Sequence, residues 1–536
     1  MRSVLLSSLW AATAAAVSCS TGCPSINLST LQSVLSADAE IFTAGTAGFN
    51  ETSARWSALD APISQIVVVP ATAADVQATV QYASSKNIKF LATNGAHGAI
   101  TTLGKLNCGI EIYMTKLNSV EISTDGTTMT VGGGVIAGNL TRTLYESGKQ
   151  AVTGTCECVS YLGPALGGGH GWLQGYHGLI ADQFISLDIV LANGSLVTVT
   201  ESGPDPELFW ALKGAGHNFG IVTSATSKIF DIVADKYALS TIFISGDNVK
   251  EAYEISNNLW LGNNGANNTA DQPVDLAIWS YWFYEPTIDA TGPVVVFYII
   301  QAGVDTVDSQ WTAPFDAVNP IMTAPDVGTY LDLAAWTGID FASNPCKKTG
   351  NANNRFPVYL PAYNGTAMEQ AYALFKYATA PTVDTVTNTT TDAPFPNSLF
   401  MAEGYSQQGV KAIDDASAAF AFRDENLLIA PLLIYPLDSE GVNEALAYKV
   451  GTAIRDALRS GSPGSNGSYV NYSYGDETTD NWYGSDAWRQ DRLRSLKSQY
   501  DPKGRFSFYG PIAYPACDDS ESEIVDDLAP SGKDEL

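Results

Sequence analysis

The sequence predicts an α+β protein with more than one domain, and three observations support that prediction. Its 536 residues are too many for a single hydrophobic core. From about residue 64 to 232, short β-rich runs alternate with helical stretches, and glycine-rich connections separate them. Beyond residue 231 the strands are longer and alternate in polarity, which is typical of an antiparallel sheet that helices cover on one face.

The first region has the pattern of a domain that surrounds a nucleotide, and we place it at residues 63–232. Its glycine-rich connections let the backbone approach a flat ligand closely or adopt positive φ. The predicted elements, in chain order, are a strand at QIVVVP, a helix from Ala73 to Lys86, strands at IKFLAT, EIYM and TMTVGGGV, a helix around Leu140 to Gly148, and the β-rich run SLDIVLANGSLVTVT.

The second region, residues 233–460, is predicted to form a separate substrate-binding domain. Its strands are expected at DLAIWSYWFYEP, VVVFYIIQAG and SLFMAEGYS, with helices near 247–260, 365–378, 409–423 and 440–459. Residues 461–515 form a third stretch, which is aromatic and helical. No internal repeat is visible.

Both ends of the chain carry targeting patterns. Residues 1–18 combine an early arginine, an apolar stretch and small residues, which predicts a cleaved signal peptide, and residues 19–62 follow as an N-terminal segment. Residues 516–536 form an acidic tail that we expect to be disordered, and it ends in Lys-Asp-Glu-Leu, an endoplasmic-reticulum retrieval signal. We therefore predict a lumenal protein that the KDEL receptor retrieves, with secretion as the alternative. Nine Asn-x-Ser/Thr triplets are compatible with a glycoprotein.

Charge excludes one class of partner. The formal net charge is −28 and the isoelectric point is near 4.3, so the chain should repel nucleic acid, and no basic run of the kind that contacts phosphates is present. No transmembrane span is visible either, so we expect no membrane insertion.

The segment GTCECVSYLGPALGGGHG, residues 154–171, places two cysteines beside a glycine run. It could be a metal site, a redox dithiol, half of a disulfide, or a point of attachment for a non-protein group. The spacing is not Cys-x-x-Cys and no second ligand pair accompanies it, which disfavours zinc and a thioredoxin-like dithiol, so we predict no metal. The sequence leaves the disulfide pairing open among seven cysteines: Cys19, Cys23, Cys108, Cys156, Cys158, Cys346 and Cys517.

Common nucleotide and hydrolase motifs are missing from the sequence. No P-loop, no GxGxxG opening a helix after a strand, and no GxSxG elbow is present. All four histidines, His97, His170, His177 and His217, lie in the first domain beside glycines. A glycine-lined cradle with one histidine and one cysteine therefore remains as the candidate site.

Several motifs together resemble the berberine bridge enzyme-like oxidases, which belong to the vanillyl-alcohol oxidase and p-cresol methylhydroxylase (PCMH) superfamily of FAD enzymes. The resemblance extends from about residue 60 to 515. It rests on TNGAHG at 93–98, GTCECVSYLGPALGGGHGWLQGYHGLIADQ at 154–183, DPELFWALKGAGHNFGIVT at 205–223, YVNY at 469–472 and LKSQYDPKGRFSF at 496–508. It implies a PCMH-type FAD-binding domain of two subdomains.

The resemblance also implies FAD held by two covalent bonds. In such enzymes a histidine in the first glycine-rich loop bonds the flavin 8-methyl carbon, which corresponds to His97. A cysteine eleven residues before the glycine run bonds ring carbon 6. Cys156 lies eleven residues before Gly167, whereas Cys158 is two residues too close. The further cofactor-binding residues so implied are Asn94, Gly95, Ala96, Gly98, Gly163, Gly167, Gly168, Gly169, Gly220, Ile221, Val222, Tyr469 and Asn471.

The same family pattern assigns Tyr472 as the catalytic base. A tyrosine with its ordinary pKa near 10 is a poor base at neutral pH, so we expect a neighbouring cation or hydrogen-bond donor to lower that value. Asn471 also begins a glycosylation triplet, and as a buried cofactor contact it should be unmodified. The other three histidines are interpreted as local structure.

Substrate contacts are expected mainly from the second domain. Alternate residues of the strand at 275–286 face one side, so either Trp282 with Tyr284 or Tyr281 with Phe283 would border the flavin. We select the first pair. The other candidates are Glu403, Tyr405 and, in the segment after the cysteines where oxygen approaches in the relatives, Tyr161.

These residues together predict an FAD-linked oxidase that dehydrogenates or oxidatively cyclises a small secondary metabolite and passes electrons to O2, giving H2O2. The alternatives are an oligosaccharide oxidase that acts at the anomeric carbon, and a non-catalytic flavin-binding protein.

Overall fold

The computed structural model describes residues 22–260, 271–384 and 389–512. The predicted signal peptide, the KDEL tail, Cys19, Cys517 and the triplets at Asn267 and Asn388 lie outside these ranges.

A four-stranded sheet forms the beginning of the fold. Its elements are α1 (Leu28–Gln32), β1 (Glu40–Thr43), α2 (Ala47–Thr52), β2 (Ile63–Val69), α3 (Ala73–Ser85), β3 (Phe90–Thr93) and β4 (Asn107–Tyr113). The strand order is β1-β2-β4-β3, with β2, β4 and β3 parallel and β1 antiparallel. Thr72 begins α3 with a capping box to Asp75, and Val76 and Val80 of α3 are buried in a cluster with the sheet.

A five-stranded antiparallel sheet follows. Its region contains β5 (Val120–Ile122), β6 (Thr128–Gly132), α4 (Ala137–Glu146), β7 (Lys149–Gln150), α5 (Leu162–Ala165), α6 (Gln174–His177), β8 (Phe184–Val190), β9 (Leu196–Thr200), α7 (Pro206–Leu212), β10 (Ile221–Lys228) and β11 (Phe230–Asp231). The order is β5-β6-β10-β8-β9, and β7 pairs separately with β11. The four-stranded and five-stranded sheets thus occupy residues 40–113 and 120–228 in succession.

A seven-stranded sheet dominates the rest of the chain, in the order β15-β12-β14-β13-β20-β21-β17. The elements from here on are β12 (Tyr237–Ile244), α8 (Val249–Trp260), β13 (Leu276–Phe283), β14 (Val294–Ala302), α9 (Ser309–Thr312), β15 (Met322–Gly328), α10 (Leu333–Trp336), β16 (Ala352–Arg355), β17 (Val358–Leu360), α11 (Gly365–Thr379), β18 (Thr382–Asp384), β19 (Thr389–Thr391), β20 (Phe400–Gly404), α12 (Gln408–Lys411), β21 (Leu427–Ile429), β22 (Leu432–Tyr435), α13 (Val442–Ser460), α14 (Thr479–Tyr483) and α15 (Ala487–Tyr500).

The two faces of this sheet have different neighbours. Tyr253 of α8, Phe375 of α11 and Ile454 of α13 share one buried cluster with Trp282 and Phe400 of the strands. The opposite face carries a second, mainly aromatic cluster that touches the first region. An antiparallel sheet with helices on one face was predicted, and the α+β fold class is confirmed.

The segment after α13 returns to the first region. The Phe506 ring packs against Phe90 of β3 with 5.4 Å between ring centroids, and Thr102 Oγ1 donates a hydrogen bond to the Phe508 carbonyl at 2.9 Å. Residues 468–512 therefore pack against the first region after the chain has left it to form the seven-stranded sheet. The boundaries at 63–232, 233–460 and 461–515 stay predictions, because nothing tests them as independent units. Across the described ranges, no helix combines the length and the apolar character needed to cross a bilayer.

Candidate functional site

A cavity in the first region brings several of the sequence-predicted cofactor residues together. Asn94, Gly163, Gly220, Ile221 and Val222 all line it. Two further lining side chains, Thr93 and His217, each have a buried polar atom, Oγ1 and Nδ1, without a partner in the described part of the chain. A cavity with unpaired polar groups and exposed backbone fits a large polar ligand such as FAD.

The loop from Asn94 to Gly98 packs tightly against the cysteine segment. A Cβ on Gly95 would lie 3.0 Å from the Cys158 carbonyl oxygen, so a larger residue would push the two segments apart. Ala96 has φ of +56°, in the left-handed region that glycine occupies at lower cost. The loop geometry is therefore maintained despite the alanine.

His97 is held between an indole ring and a sulfur atom. Its ring stacks on Trp56 with centroids 5.5 Å apart, and its Nε2 lies 3.4 Å from Cys158 Sγ. Burial, followed by the positive charges of Arg355, Lys348 and Arg55, lowers the pKa of His97 to about 3. The imidazole is thus neutral at physiological pH, which leaves a ring nitrogen available as a nucleophile.

Three cysteines meet beside this histidine. Cys158 and Cys346 form a disulfide, and Cys156 is a free thiol. The Cys156 sulfur lies 3.7 Å from that of Cys158 and 3.9 Å from that of Cys346. The three sulfurs lie within 4.8 Å of one another, but the disulfide removes two of them as thiolate ligands for a metal. A second disulfide joins Cys23 to Cys108 of β4.

The glycine run contacts the YVNY segment. A Cβ on Gly167 would lie 2.6 Å from Asn471 Oδ1, and Gly168 and Gly169 have φ of +103° and +85°. The Asn471 amide donates to the Pro164 carbonyl at 2.9 Å, and Tyr469 is buried. Gly167 therefore lets this segment approach, while Gly168 and Gly169 adopt a backbone conformation that favours glycine.

Tyr472 shares a carboxylate with a second tyrosine. Its hydroxyl donates to Glu403 Oε1 at 2.9 Å, and the Tyr405 hydroxyl donates to Glu403 Oε2 at 2.7 Å. Glu403 is only 1% exposed, and burial raises the pKa of its carboxyl, against the hydrogen bonds from the two tyrosines and the charge of Arg355. A buried carboxyl with a raised pKa is well suited to accept a proton.

The expected lowering of the Tyr472 pKa is not what this arrangement produces. The expected cation is present, because the Arg355 guanidinium lies 4.4 Å from the centroid of the Tyr472 ring. Burial and then the charge of Glu403 nevertheless raise the pKa of Tyr472 well above its ordinary value, and Arg355 only opposes them. Tyr472 therefore stays neutral and donates to Glu403 in place of acting as a tyrosinate.

Arg355 also connects Tyr472 to His97. Its guanidinium lies 4.5 Å from the Trp56 ring, which is the ring that stacks on His97. Arg355 Nε is buried and has no partner within the described residues. The contacts run continuously from His97 through Trp56 and Arg355 to Tyr472 and Glu403.

An aromatic wall adjoins Glu403 on the same face of the seven-stranded sheet. We define this wall as Trp172, Trp279, Tyr281, Met401 and Tyr405. Trp279 is paired directly opposite Glu403 between β13 and β20, and Tyr281 opposite Met401, so these side chains share one face. Trp279 Nε1 and the Tyr281 hydroxyl are buried without a partner within the described residues.

The free thiol of Cys156 packs against this wall. The Trp172 and Trp279 rings stack with centroids 4.4 Å apart. The wall thus combines flat rings with two unpaired hydrogen-bond donors.

Two of the predicted substrate residues, Trp282 and Tyr161, lie elsewhere. Trp282 faces the helix-covered side of the sheet, where its indole donates to the Tyr253 hydroxyl at 2.8 Å and stacks on Phe400. Tyr284 lies just beyond the end of β13. Tyr161 is fully buried in the core of the first region, with its hydroxyl on Ser227 Oγ at 3.2 Å. The alternate set that includes Tyr281 faces the wall, because successive strand residues point to opposite sides.

The remaining histidines have structural partners. The two nitrogens of His170 contact Gln174 Oε1 at 2.9 Å and the Tyr359 hydroxyl at 2.8 Å. His177 stacks on Phe230, and His217 Nε2 lies 2.9 Å from the Gly163 carbonyl oxygen. These contacts agree with a structural interpretation of all three.

Comparisons with known proteins agree with this geometry. Residues 64–200 match the family model described as "FAD binding domain", and residues 468–513 match "Berberine and berberine like". The chain is 49% identical over 484 residues to the FAD-linked oxidoreductase chyH of Penicillium rubens, covering 90% of this chain and 93% of that protein. This chain belongs to the berberine bridge enzyme-like family of FAD-linked oxidoreductases.

Solved structures show that this berberine bridge enzyme-like chain has the fold of that family. "Physcomitrella patens BBE-like 1 wild-type" superposes with a TM-score of 0.72 at 19% identity, covering 91% of this chain and 99% of that one. The Acremonium strictum glucooligosaccharide oxidase superposes with a TM-score of 0.70 at 18% identity, covering 90% and 98%. The description of that structure names a 6-S-cysteinyl, 8α-N1-histidyl FAD.

Sequence reasoning missed several residues of this family member's site, chiefly Trp56, Trp172, Trp279 and Arg355. Arg355 had a detectable signal, since it is a lone charge in the β-forming run ANNRFPVYL. Trp56 and Trp172 had none, because nothing in their spacing relates them to His97 or Tyr472. Trp279 lies on the strand predicted at 275–286, in the alternate set with Tyr281 that was not selected.

Proposed function

We propose that this oxidoreductase holds FAD through His97 and Cys156 and oxidises a small aromatic metabolite that carries an alcohol or phenol group, with O2 as the final acceptor and H2O2 as the product. The observation that carries the proposal is the continuous contact from His97 through Trp56 and Arg355 to the Tyr472–Glu403 pair. The contacts support a proposed tether at His97 and a proposed proton acceptor at Glu403 that belong to one connected group of side chains.

The proton route follows from the two pKa directions. Tyr472 is neutral and already donates to Glu403, so its oxygen can accept the substrate hydroxyl proton while its own proton moves to Glu403 Oε1. Burial raises the pKa of the Glu403 carboxyl, which increases its affinity for that proton. The positive charge of Arg355 beside Tyr472 stabilises negative charge that develops on the oxygen during the transfer.

Bound FAD would supply the hydride acceptor and the reaction with dioxygen. The residues of this chain would orient the substrate and manage its proton. His97, kept neutral by burial, and Cys156, the free thiol at the wall, are the side chains in place to hold the flavin from two sides.

The aromatic wall supports a flat substrate. Trp172 and Trp279 offer stacked rings, and the unpaired donors of Trp279 and Tyr281 would each need an acceptor oxygen on the substrate. The substrate that fits is therefore an aromatic ring system with an oxygen acceptor remote from the oxidised carbon.

An oligosaccharide oxidase is the second candidate. It is favoured by the likeness to the glucooligosaccharide oxidase and by the fact that tryptophan rings also stack on sugars. A non-catalytic flavin-binding protein is disfavoured by the complete Tyr472–Glu403 pair, which a binding role would not require.

We further propose that the protein is a glycoprotein of the endoplasmic-reticulum lumen, delivered by the signal peptide and retrieved through its KDEL end. Asn471 is proposed to be free of glycan, because its amide is engaged with Pro164 in the site.

The test is anaerobic reduction of the purified flavoprotein, followed by peroxide assay in air. Aromatic alcohols and phenols with a second oxygen substituent should bleach the flavin, and oligosaccharides of glucose, xylose or N-acetylglucosamine should not. Bleaching by sugars alone would select the second candidate. Stable colour with every member of both panels would contradict the oxidase.

A further inference from the structure

We infer that the Cys158–Cys346 disulfide selects the cysteine that bonds the flavin, by removing Cys158 from competition and leaving Cys156 as the one free thiol among the described residues. The inference rests on the double tether proposed above and goes beyond it, because it assigns a role to a bond between the two regions of the chain.

Selection is needed because the sulfur atoms of two cysteines lie close to each other beside His97. The two sulfurs lie 3.7 Å apart, and Cys158 Sγ is in contact with His97 Nε2 at 3.4 Å. As a thiol, Cys158 would therefore be a second nucleophile beside the histidine tether. Paired with Cys346, it has no thiol hydrogen and forms no thiolate.

The residue between the two cysteines holds the disulfide partner in place. The Glu157 carboxylate accepts a hydrogen bond from the Phe341 backbone N–H at 2.9 Å, and the Glu157 N–H donates to the Ile339 carbonyl at 3.1 Å. Arg142 completes the contact with an ion pair to Glu157 at 2.6 Å. These bonds dock the Cys-Glu-Cys segment onto the chain that leads to Cys346, so the pairing of Cys158 with Cys346 is prepared by the fold.

The same docking separates the roles of the two sulfurs. Cys158 is joined to the turn that carries Cys346, whereas Cys156 packs against the aromatic wall next to Tyr281 and Tyr405. Burial raises the pKa of the Cys156 thiol to about 11, which makes it a slow nucleophile at neutral pH. Because Cys156 reacts slowly, a free Cys158 thiol would compete with it for the flavin. The disulfide to Cys346 prevents that competition.

Formation of the bond between Cys156 and the flavin is a two-electron oxidation, and the O2 proposed above is its oxidant. The hydrogen on the flavin ring carbon and the hydrogen on Cys156 Sγ are replaced by one C–S bond. The two hydrogens and their electron pair pass to dioxygen, which becomes hydrogen peroxide. The disulfide is neither formed nor broken in this step.

The test maps the flavin-bearing peptides of four full-length proteins by mass spectrometry: the wild type, Cys346→Ser, the double variant Cys158→Ser/Cys346→Ser, and a control without the other disulfide, Cys23→Ser/Cys108→Ser. We expect the thioether on Cys156 in the wild type, the double variant and the control. In Cys346→Ser the released Cys158 should take over, so that roughly half or more of the thioether leaves Cys156.

Two outcomes would overturn the selection. One is a Cys346→Ser protein whose thioether stays entirely on Cys156. The other is an equal loss in the single and double variants, which would show that the disulfide acts only by holding the structure together. A wild-type protein without a thioether on any cysteine would instead contradict the double tether, and the selection would fall with it.

A map of the unreduced wild type decides the case even where a variant does not fold. The peptides of Cys158 and Cys346 should be linked, with Cys156 outside any disulfide. Linkage of Cys156 to either partner would overturn the inference.

Discussion

The loops that contain His97 and Cys156 are built from residues that are close together in the sequence, whereas the group around Tyr472 comes from distant strands. The first set includes TNGAHG, residues 93–98, and the segment 154–171, each a continuous stretch. The second set joins Arg355 of β16, Glu403 of β20 and the segment after α13. The proposed cofactor attachment thus depends on segments that are continuous in the sequence, whereas the proposed proton transfer depends on the tertiary fold.

The two regions also differ in the way burial acts on charge. In the loops it lowers the pKa of His97 to about 3 and keeps the ring neutral. At the sheet it raises the pKa of Glu403 and of Tyr472. The histidine stays unprotonated and the carboxyl becomes a stronger base, so one physical cause supports both proposed roles.

The largest expected effect is a loss of turnover without a loss of flavin, which would separate the role of the Tyr472 group from that of the His97 and Cys156 loops. Tyr472→Phe should reduce kcat by about 10²- to 10⁴-fold, because the substrate proton loses its acceptor, while the flavin content stays near that of the wild type. Steady-state kinetics and the visible spectrum measure the two quantities. Tyr474→Phe is the matched control, since this tyrosine lies two residues later and stacks on Phe356. Parallel loss of flavin and rate in Tyr472→Phe would mean that Tyr472 supports the cofactor.

Glu403→Gln should give the next largest effect, a loss of about 10- to 100-fold in kcat, because the amide cannot accept the proton from Tyr472. In the wild type, activity should fall as the pH drops through the raised pKa of Glu403, since the protonated carboxyl no longer accepts. The variant should lack this acid limb. Glu425→Gln is the control, because burial also raises the pKa of Glu425, outside the site. An acid limb that persists in Glu403→Gln would assign it to another group.

The thermal stability of Glu403→Gln tests the raised pKa of Glu403 independently of activity. Because the folded-state pKa of Glu403 is raised, the folded protein binds more protons than the unfolded chain between pH 4.5 and that pKa, and ionisation lowers stability as the pH rises through this window. Glu403→Gln removes the buried charge, so it should leave Tm unchanged or higher at pH 8. A lower Tm would mean that the carboxylate stabilises the fold.

The comparison also explains what the sequence could predict. The α+β class follows from local periodicity, whereas the FAD-binding family and the placement of Asn94, Gly163 and Gly220 around one cavity follow from the resemblance that the motifs carry. The side of β13 that faces the site does not, because alternation defines two faces without saying which is covered by helices. That is why Trp282 was selected, although Trp279 and Tyr281 border Glu403.

The base partner shows the same limit. Glu403 was predicted as a substrate contact from its strand, and the structure places it under the Tyr472 hydroxyl. Arg355 and Trp56 could not be related to it, since these residues are far apart in sequence and meet only in the tertiary fold. The pKa of Tyr472 was expected to be lowered and is raised, because the sequence does not show that Tyr472 is buried beside Glu403.

A smaller effect tests the substrate side. Tyr281→Phe should raise KM by roughly 2- to 10-fold with little change in kcat, which corresponds to one hydrogen bond to the substrate. Tyr284→Phe, just beyond the same strand, should leave KM unchanged. Identical kinetics for the two variants would mean that the Tyr281 hydroxyl does not bind the substrate.

The smallest expected effect concerns the histidine loop. Ala96→Gly should raise stability by about 1 kcal/mol, because glycine removes the steric cost of φ at +56°. Urea unfolding measures it. Ala99→Gly, in the same loop but without positive φ, should instead be neutral or destabilising. A gain in Ala99→Gly equal to that in Ala96→Gly would mean that the loop carries no conformational strain at Ala96.

Attachment of the flavin from two sides is tested most directly by acid precipitation of the purified full-length protein, followed by mass mapping of its peptides. We predict a yellow precipitate in which the peptides of His97 and Cys156 are joined through one FAD. A colourless precipitate with FAD in the supernatant and both peptides unmodified would contradict the account.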